Sequence, residues 1–540
     1  MKATGKKYFL LEAGPLSMLV PALLLFLFIQ LTTPLLNSGD DAYLMYTLAG
    51  GFGEPPSSLL HYDHGWHYWL GSFTRQLFML FPGINAYVFV LLFLQWAGLS
   101  AVLYVLLKKR KTGVALLLFF VLFLFVVSRL LLALSYTGTT FVAACGALTL
   151  LLHVVSEKKF IRFTSIAAIL LLLMAAMLRL HVTVLAICLF LPGLFFFARR
   201  ILFPAGVIIF LLAGVLIMGL FALHQQHYTQ EIPGWKKQEA YRQALFNMYN
   251  RPVDYKGIPA TFSGKEEQDL FFASFLYDSS RFTAERLSEI GKKLSRKRLL
   301  NESEDREGLY WFFKECRIYL LLFLVYVLFL SANRDYKSLR RWLLSLSMVL
   351  AVYAALFVFL KMTATLHFGL LFFLFIQATL QPENSERYAN SKRFFTYLFA
   401  GILLLLSGWM GYRLYKDNKQ NETRSTEFHC VLDEINQHPD LLFIATDDSF
   451  PLGYFSIRDL PRQYPVRNLI YKDRMLTHMY PQTLKRFGYA SVDEAITTGK
   501  NVYLLGAPLP ALENVYKGFT LTEKLPGFRC LEVRKLERLP

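Results

Sequence analysis

The chain is 540 residues long, 55% hydrophobic and 16% aromatic, with a formal net charge of +18 and a mean hydropathy of +0.38. Its apolar residues gather in repeated runs of roughly 16–24 residues, which excludes an ordinary soluble globule and predicts an all-α polytopic membrane protein. The basic residues come with no zinc-finger spacing, recognition-helix pattern or RNA-binding signature, so nucleic acid is excluded as a partner and the charge is assigned to membrane topology.

Pro15–Leu36 is the first run long enough to cross a bilayer. Its apolar core is too long for a cleaved signal peptide, and no small-x-small site precedes the acids that follow, so it is expected to stay as an anchor. Further spans are predicted near 85–107, 113–135, 138–155, 163–179, 182–198, 202–222, 317–332, 342–360, 363–380 and 394–413. Lys2, Lys6 and Lys7 precede the first of these runs, and Lys108–Lys111, Lys158–Arg162, Arg199–Arg200, Arg334–Arg341 and Arg387–Arg393 hold basic clusters between later ones. All fall on one side, which the positive-inside rule makes the cytoplasm, N-terminus included. That leaves the loop 37–84, the loop 223–316 and the tail 414–540 outside the cytoplasm. Lys292, Lys293, Arg296, Lys297 and Arg298 run against the rule, from which loops of this length are largely exempt.

In the first loop, Ser38-Gly39-Asp40-Asp41-Ala42-Tyr43 reads as a turn opening a short helix. One acid can serve as an N-cap and the other can favour the helix dipole. That does not account for two mutually repelling carboxylates beside a membrane, where repulsion and partial burial raise the proton affinity of one. A carboxylate so placed can take a proton from a hydroxyl nucleophile. Trp66 to Phe81 has aromatics at the spacing of a helix lying flat on the membrane surface. His61, His64 and His67 ahead of it offer either metal ligands interrupted by Gly65 or interfacial packing, so a divalent metal is possible.

The tail reads as a separate small α/β domain, with strands at Leu441–Ala445, Val466–Tyr471 and Val502–Gly506 and a helix over Leu484–Ile496. Its two cysteines, Cys430 and Cys530, form a disulfide in an oxidising compartment or remain buried thiols. Asp447-Asp448 reads as a strand-end turn or a ligand site.

An acid pair just after the first span, a surface-lying helix in the same loop, many spans and an exported tail together resemble the GT-C glycosyltransferases. Ser38-Gly39-Asp40-Asp41 is similar to a motif in bacterial membrane proteins placed near that superfamily, whose large outer loop has a pattern like Tyr249-Asn250-Arg251-Pro252-Val253-Asp254-Tyr255. The resemblance covers the loop architecture and the first seven spans, not the tail. It implies a bacterial inner-membrane enzyme that moves a sugar, with inversion, from a polyprenyl-phosphate donor to an extracytoplasmic glycan or lipid acceptor. It also implies Asp40 as the base, with Asp41 adjacent.

A departing lipid phosphate needs cations at the outer ends of spans. Arg179 and His181 flank one outer turn, and Lys361 and His367 another. These residues either hold substrate or snorkel to headgroups. Arg251 and Asp254 form an ion pair or touch substrate, His64 and His67 are candidate substrate contacts or pack at the interface, and His224 and His227 mark the start of the second loop. Two other readings are a transporter or flippase of lipid-linked sugars and a non-enzymatic envelope assembly factor or receptor. The first expects charges near mid-span, for which Arg129 is the main example.

Overall fold

The computed structural model describes residues 13–36, 38–60, 66–157, 163–197, 204–249, 261–272, 282–294, 303–332, 335–359, 363–380, 393–445, 450–471, 480–505, 519–522 and 527–538. In chain order these form α1 (Ala13–Leu31), β1 (Leu35–Leu36), α2 (Gly39–Ala49), α3 (Tyr68–Leu80), α4 (Ala86–Lys109), α5 (Thr112–Leu122), a π-helical turn (Phe123–Val127), α6 (Ser128–Leu132), β2 (Ala133–Leu134) and α7 (Tyr136–Ser156). Next come α8 (Phe163–Leu178), α9 (Leu180–Phe197), α10 (Pro204–Glu231), α11 (Trp235–Tyr249), α12 (Lys265–Phe272), α13 (Ala284–Leu294), α14 (Ser303–Ala332), α15 (Tyr336–Phe359), α16 (Ala364–Thr379) and α17 (Arg393–Asn436). The tail adds β3 (Leu442–Ala445), a 3-10 turn (Leu452–Tyr454), β4 (Leu469–Tyr471), α18 (Pro481–Phe487), α19 (Val492–Thr498), β5 (Val502–Leu505), β6 (Phe519–Leu521), β7 (Val533–Arg534) and β8 (Leu536–Arg538).

Among the described residues, seven helices are long and apolar enough to cross a membrane: α1, α4, Thr112–Leu132, α7, Phe210–Glu231, Phe313–Ala332 and α15. Shorter apolar helices, Phe163–Leu178, Leu180–Leu191 and Ala364–Thr379, occupy three further runs. The last run, 394–413, is the first half of α17. The protein is therefore a multi-pass helical membrane protein with a small stranded C-terminal region.

The bundle is organised around α7, whose residues are almost all buried. Small residues explain how: a Cβ on Gly146 would stand 2.4 Å from the Gly98 carbonyl oxygen, so α4 and α7 cross backbone to backbone. In a bilayer, where hydrophobicity does not pull helices together, this close packing is a main source of attraction. Beyond the ends of α1 and α6, β1 and β2 pair in parallel, with Leu35 opposite Ala133 and Leu36 opposite Leu134. The first and third spans thus deliver the chain to the same side, and there the loop 37–84 begins. On α3, Trp69, Phe73, Met79 and Leu80 are exposed while Leu70, Thr74 and Phe78 are buried, a face suited to lipid.

Helix α17 continues without a break from the last apolar run into the tail. The tail sheet has the order β4-β3-β5-β7, with parallel pairs on either side of β3 and an antiparallel edge strand. The single helix expected over Leu484–Ile496 is two. Gly488 ends α18 in a left-handed conformation (φ 83°), and Ser491 caps α19 by accepting from the Glu494 N–H. Cys430 of α17 is disulfide-bonded to Cys530, with the Cα atoms 6.0 Å apart.

Several contacts stitch the tail to α1 and the loop that follows it. The Arg458 guanidinium donates to the carbonyls of Ile29, Gln30 and Thr32, covering the open end of α1. The Leu36 N–H donates to Phe455 O (3.0 Å) and the Ile457 N–H to Pro34 O (3.1 Å). Tyr46 Oη donates to Tyr464 O at 2.8 Å, and Asn85 Nδ2 to Asp459 O at 3.0 Å.

Candidate active site

Ser38 is extended (φ −149°, ψ 159°) and caps α2, with its hydroxyl accepting from the Asp41 N–H. Gly39 and Asp40 then open the helix, so both acids lie in the first turn, where the dipole favours negative charge. One turn of helix points successive side chains about 100° apart, and the two carboxylates consequently meet different surroundings. Asp41 is only 1% exposed, whereas Asp40 is half-exposed.

Three neighbours hold Asp41. Tyr87 Oη of α4 donates to Oδ1 at 2.7 Å, the Tyr136 N–H at the start of α7 donates to the same oxygen at 2.9 Å, and Ser38 Oγ donates to Oδ2 at 3.1 Å. Burial pushes the Asp41 carboxyl up to about 6, against the lowering effect of these hydrogen bonds and of Arg179. The Tyr87 ring is fixed in turn by stacking on Trp66 at 4.9 Å. Asp41 therefore ties α2, α4 and α7 together and anchors the first turn of α2, to which Asp40 also belongs.

Arg179 sits at the break between α8 and α9. Its guanidinium stacks over the Tyr136 ring at 4.8 Å and donates to Thr137 Oγ1. The fold thus brings the acid pair and Arg179 to one place, the N-terminal turn of α7. His181 is exposed in the first turn of α9. His67 is one residue from Trp66, but its ring turns to another group: Nε2 is 2.9 Å from Leu220 O, Nδ1 accepts from the Trp69 N–H, and the His224 ring is 5.2 Å away. Burial, with the nearby His227, holds His67 below the usual histidine range, and the Leu220 carbonyl opposes this. The ring fastens α10 to the first loop. His64, Arg251, Asp254, Lys361 and the Asp447-Asp448 pair lie outside the described residues.

His367 belongs to a second polar group, inside the bundle. Its Nδ1 is 2.8 Å from Tyr353 Oη, and Cys316 Sγ lies 3.8 Å from its Nε2. Arg129 of α6 is paired with Asp417 and Arg413 with Glu315, which binds α17 to the third span and to α14. Arg129 also lies over the Phe368 ring at 5.3 Å. Of these residues His367 and Arg129 stood out in the sequence, Arg129 as a lone charge in an apolar run; its partner is 288 positions away. The same holds for Tyr87 and Tyr136, ordinary aromatics until the fold places them on Asp41.

Among the described residues, the group with donor atoms close enough for a metal is Cys430, Glu434 and Cys530. It does not fit one: the sulfurs are joined to each other, and Glu434 accepts the backbone N–H groups of Arg529, Cys530 and Leu531.

Beside the acid pair, a cavity of about 450 Å³ opens at Ser38 and Gly39, walled on its far side by Asn421, Arg424 and Glu427 of α17. No family model and no curated protein matches this chain. Along its whole length it is similar to ArnT. The apo structure of ArnT from Cupriavidus metallidurans is 11% identical at a TM-score of 0.41, with 97% of each chain covered. The structure of the same protein bound to undecaprenyl phosphate is 10% identical at 0.38, over 96% of this chain and 97% of that one.

Proposed function

We propose that the protein is an inverting membrane glycosyltransferase that moves a sugar from a polyprenyl-phosphate donor to an extracytoplasmic glycan or lipid acceptor. The observation that supports this reading is the buried Asp41, held by three hydrogen bonds and under the influence of Arg179, directly next to the half-exposed Asp40 in the first turn of α2. Asp40 takes the proton of the acceptor hydroxyl as its oxygen forms a bond to the anomeric carbon. The bond from that carbon to the phosphate oxygen breaks on the opposite face, and the electron pair leaves with the polyprenyl phosphate. Arg179, stacked and hydrogen-bonded in a fixed direction, meets the charge that grows on the departing phosphate. Asp41 anchors the helical turn from which Asp40 projects.

In this reading the protein lies in a bacterial inner membrane with its N-terminus cytoplasmic. The acid pair, the loop 223–316 and the tail 414–540 face outward, where donors must be membrane-borne. Asp40→Asn is expected to abolish release of free polyprenyl phosphate from a polyprenyl-phosphate sugar while membrane insertion is unaltered. Full release by that variant would remove Asp40 from the base role. The transporter reading draws on the charged group around Arg129. Those charges form ion pairs between helices, an arrangement that pins α17 in place. Transport of intact donor with no free polyprenyl phosphate would favour that reading.

A further inference from the structure

The transfer chemistry uses nothing from the tail, yet the tail is tied to the first outer loop and encloses the cavity beside the acid pair. Two close approaches define its edge. A Cβ on Gly39 would stand 3.0 Å from Tyr471 Oη, and one on Gly453 would stand 3.3 Å from the Gly39 nitrogen. Loop and tail touch at these glycines and then part, leaving a space of about 450 Å³, within the roughly 300–1,000 Å³ of small-molecule sites.

The chemistry of the walls narrows the ligand. Arg424 offers only donors and Glu427 only acceptors, and they face the space from neighbouring positions of one helix. Tyr454, over which the Arg424 guanidinium lies at 5.2 Å, adds aromatic surface, and the buried Tyr471 brings its hydroxyl to the edge at Gly39. A phosphate or carboxylate would meet Glu427 and an ammonium group would meet Arg424, while Leu36, Leu132 and Leu452 add apolar wall. A ring bearing several hydroxyls satisfies the set, because each hydroxyl both donates and accepts and the ring's apolar face can rest on a tyrosine.

We propose that this cavity binds the saccharide portion of the acceptor, with Arg424 and Glu427 gripping its hydroxyls and Tyr454 beside the ring. The assignment rests on the reading of Asp40 as base, since Gly39 at the cavity edge is its immediate neighbour. It gives the tail a task, selecting the acceptor.

The test uses the full chain in lipid nanodiscs and saturation-transfer NMR with glucose, galactose, N-acetylglucosamine and maltose as probes. At least one sugar is expected to bind. Glu427→Gln, an isosteric change at an exposed side chain, should weaken that binding several-fold with the thermal midpoint unchanged. The Arg424→Gln/Glu427→Gln double variant should weaken it at least tenfold, and Asp40→Asn should leave it intact. No binding by any of the four sugars, or equal binding by the double variant, would overturn the proposal. The two readings fail separately. Sugar held through Arg424 and Glu427 without any release of polyprenyl phosphate sinks the transfer reading and leaves the site. Transfer that persists with sugar affinity unaltered in both variants sinks the site and leaves transfer.

Discussion

Replacing Asp41 with Asn gives a sharp test of how the acid pair is built. The amide keeps the shape of the carboxylate, and its oxygen can still accept from Tyr87 Oη and the Tyr136 N–H, now at 2.7 and 2.9 Å from Oδ1. What is lost is a buried negative charge. The Asp41 carboxyl stands at about 6 in the fold against 3.8 for the free group. An acid whose proton affinity is raised by folding stabilises the native state when protonated and penalises it when ionised, so stability falls as pH climbs from about 4 to about 6. The penalty is about 3 kcal/mol at pH 7 and about 1 kcal/mol at pH 4.5, since each tenfold gain in proton affinity on folding is worth about 1.4 kcal/mol. Asp41→Asn removes it. Thermal unfolding in detergent, followed by intrinsic fluorescence from pH 4.5 to 7, should show the variant gaining on the wild type as pH rises, by roughly 2 kcal/mol over that range. A gap between the two proteins that stays constant with pH would refute a buried, ionisable Asp41 with raised proton affinity. If the gap closed as pH rose, the sign of the argument would be wrong.

Other substitutions probe the rest of the site and its scaffold. Arg179→Lys should lower the rate of polyprenyl phosphate release about 10- to 100-fold, because an ammonium group cannot both stack on Tyr136 and hold Thr137; a near-normal rate would remove Arg179 from the phosphate. Gly146→Leu should abolish monodisperse protein in detergent, since even a Cβ there would stand 2.4 Å from Gly98 O. Recovery of normal folded yield would contradict the close α4–α7 crossing. Cys430→Ser should cost the tail about 2–5 kcal/mol, the usual effect of opening a long disulfide loop, here one that spans 100 residues. Faster limited proteolysis of the tail reads it out, and an unaltered rate would show that the bridge contributes nothing. Arg458→Ala uncovers the last carbonyls of α1. It should cost about 1–2 kcal/mol and loosen the tail from the first loop, seen as faster hydrogen exchange around β1.

By itself the sequence determined the membrane class, because an apolar run long enough to cross lipid must satisfy its own backbone and does so as a helix wherever it is packed. It also pointed to the acid pair, since adjacent carboxylates beside such a run are conspicuous in any context. The two helices in place of one over Leu484–Ile496 were legible too, in Gly488 and Ser491, had local capping been weighed against apolar spacing. What only the tertiary structure decided is how the two acids differ. Asp40 and Asp41 share one chemistry and one helical turn. Asp41 alone is buried because Tyr87 and the start of α7, 46 and 95 positions away, close over it. The cavity between loop and tail and the pairing of Arg129 with Asp417 have the same origin. Hydrophobic periodicity reports which face of a helix is apolar, but not which distant side chain meets it. That partner is chosen only when the helices pack, and a buried charge takes its proton affinity from that choice.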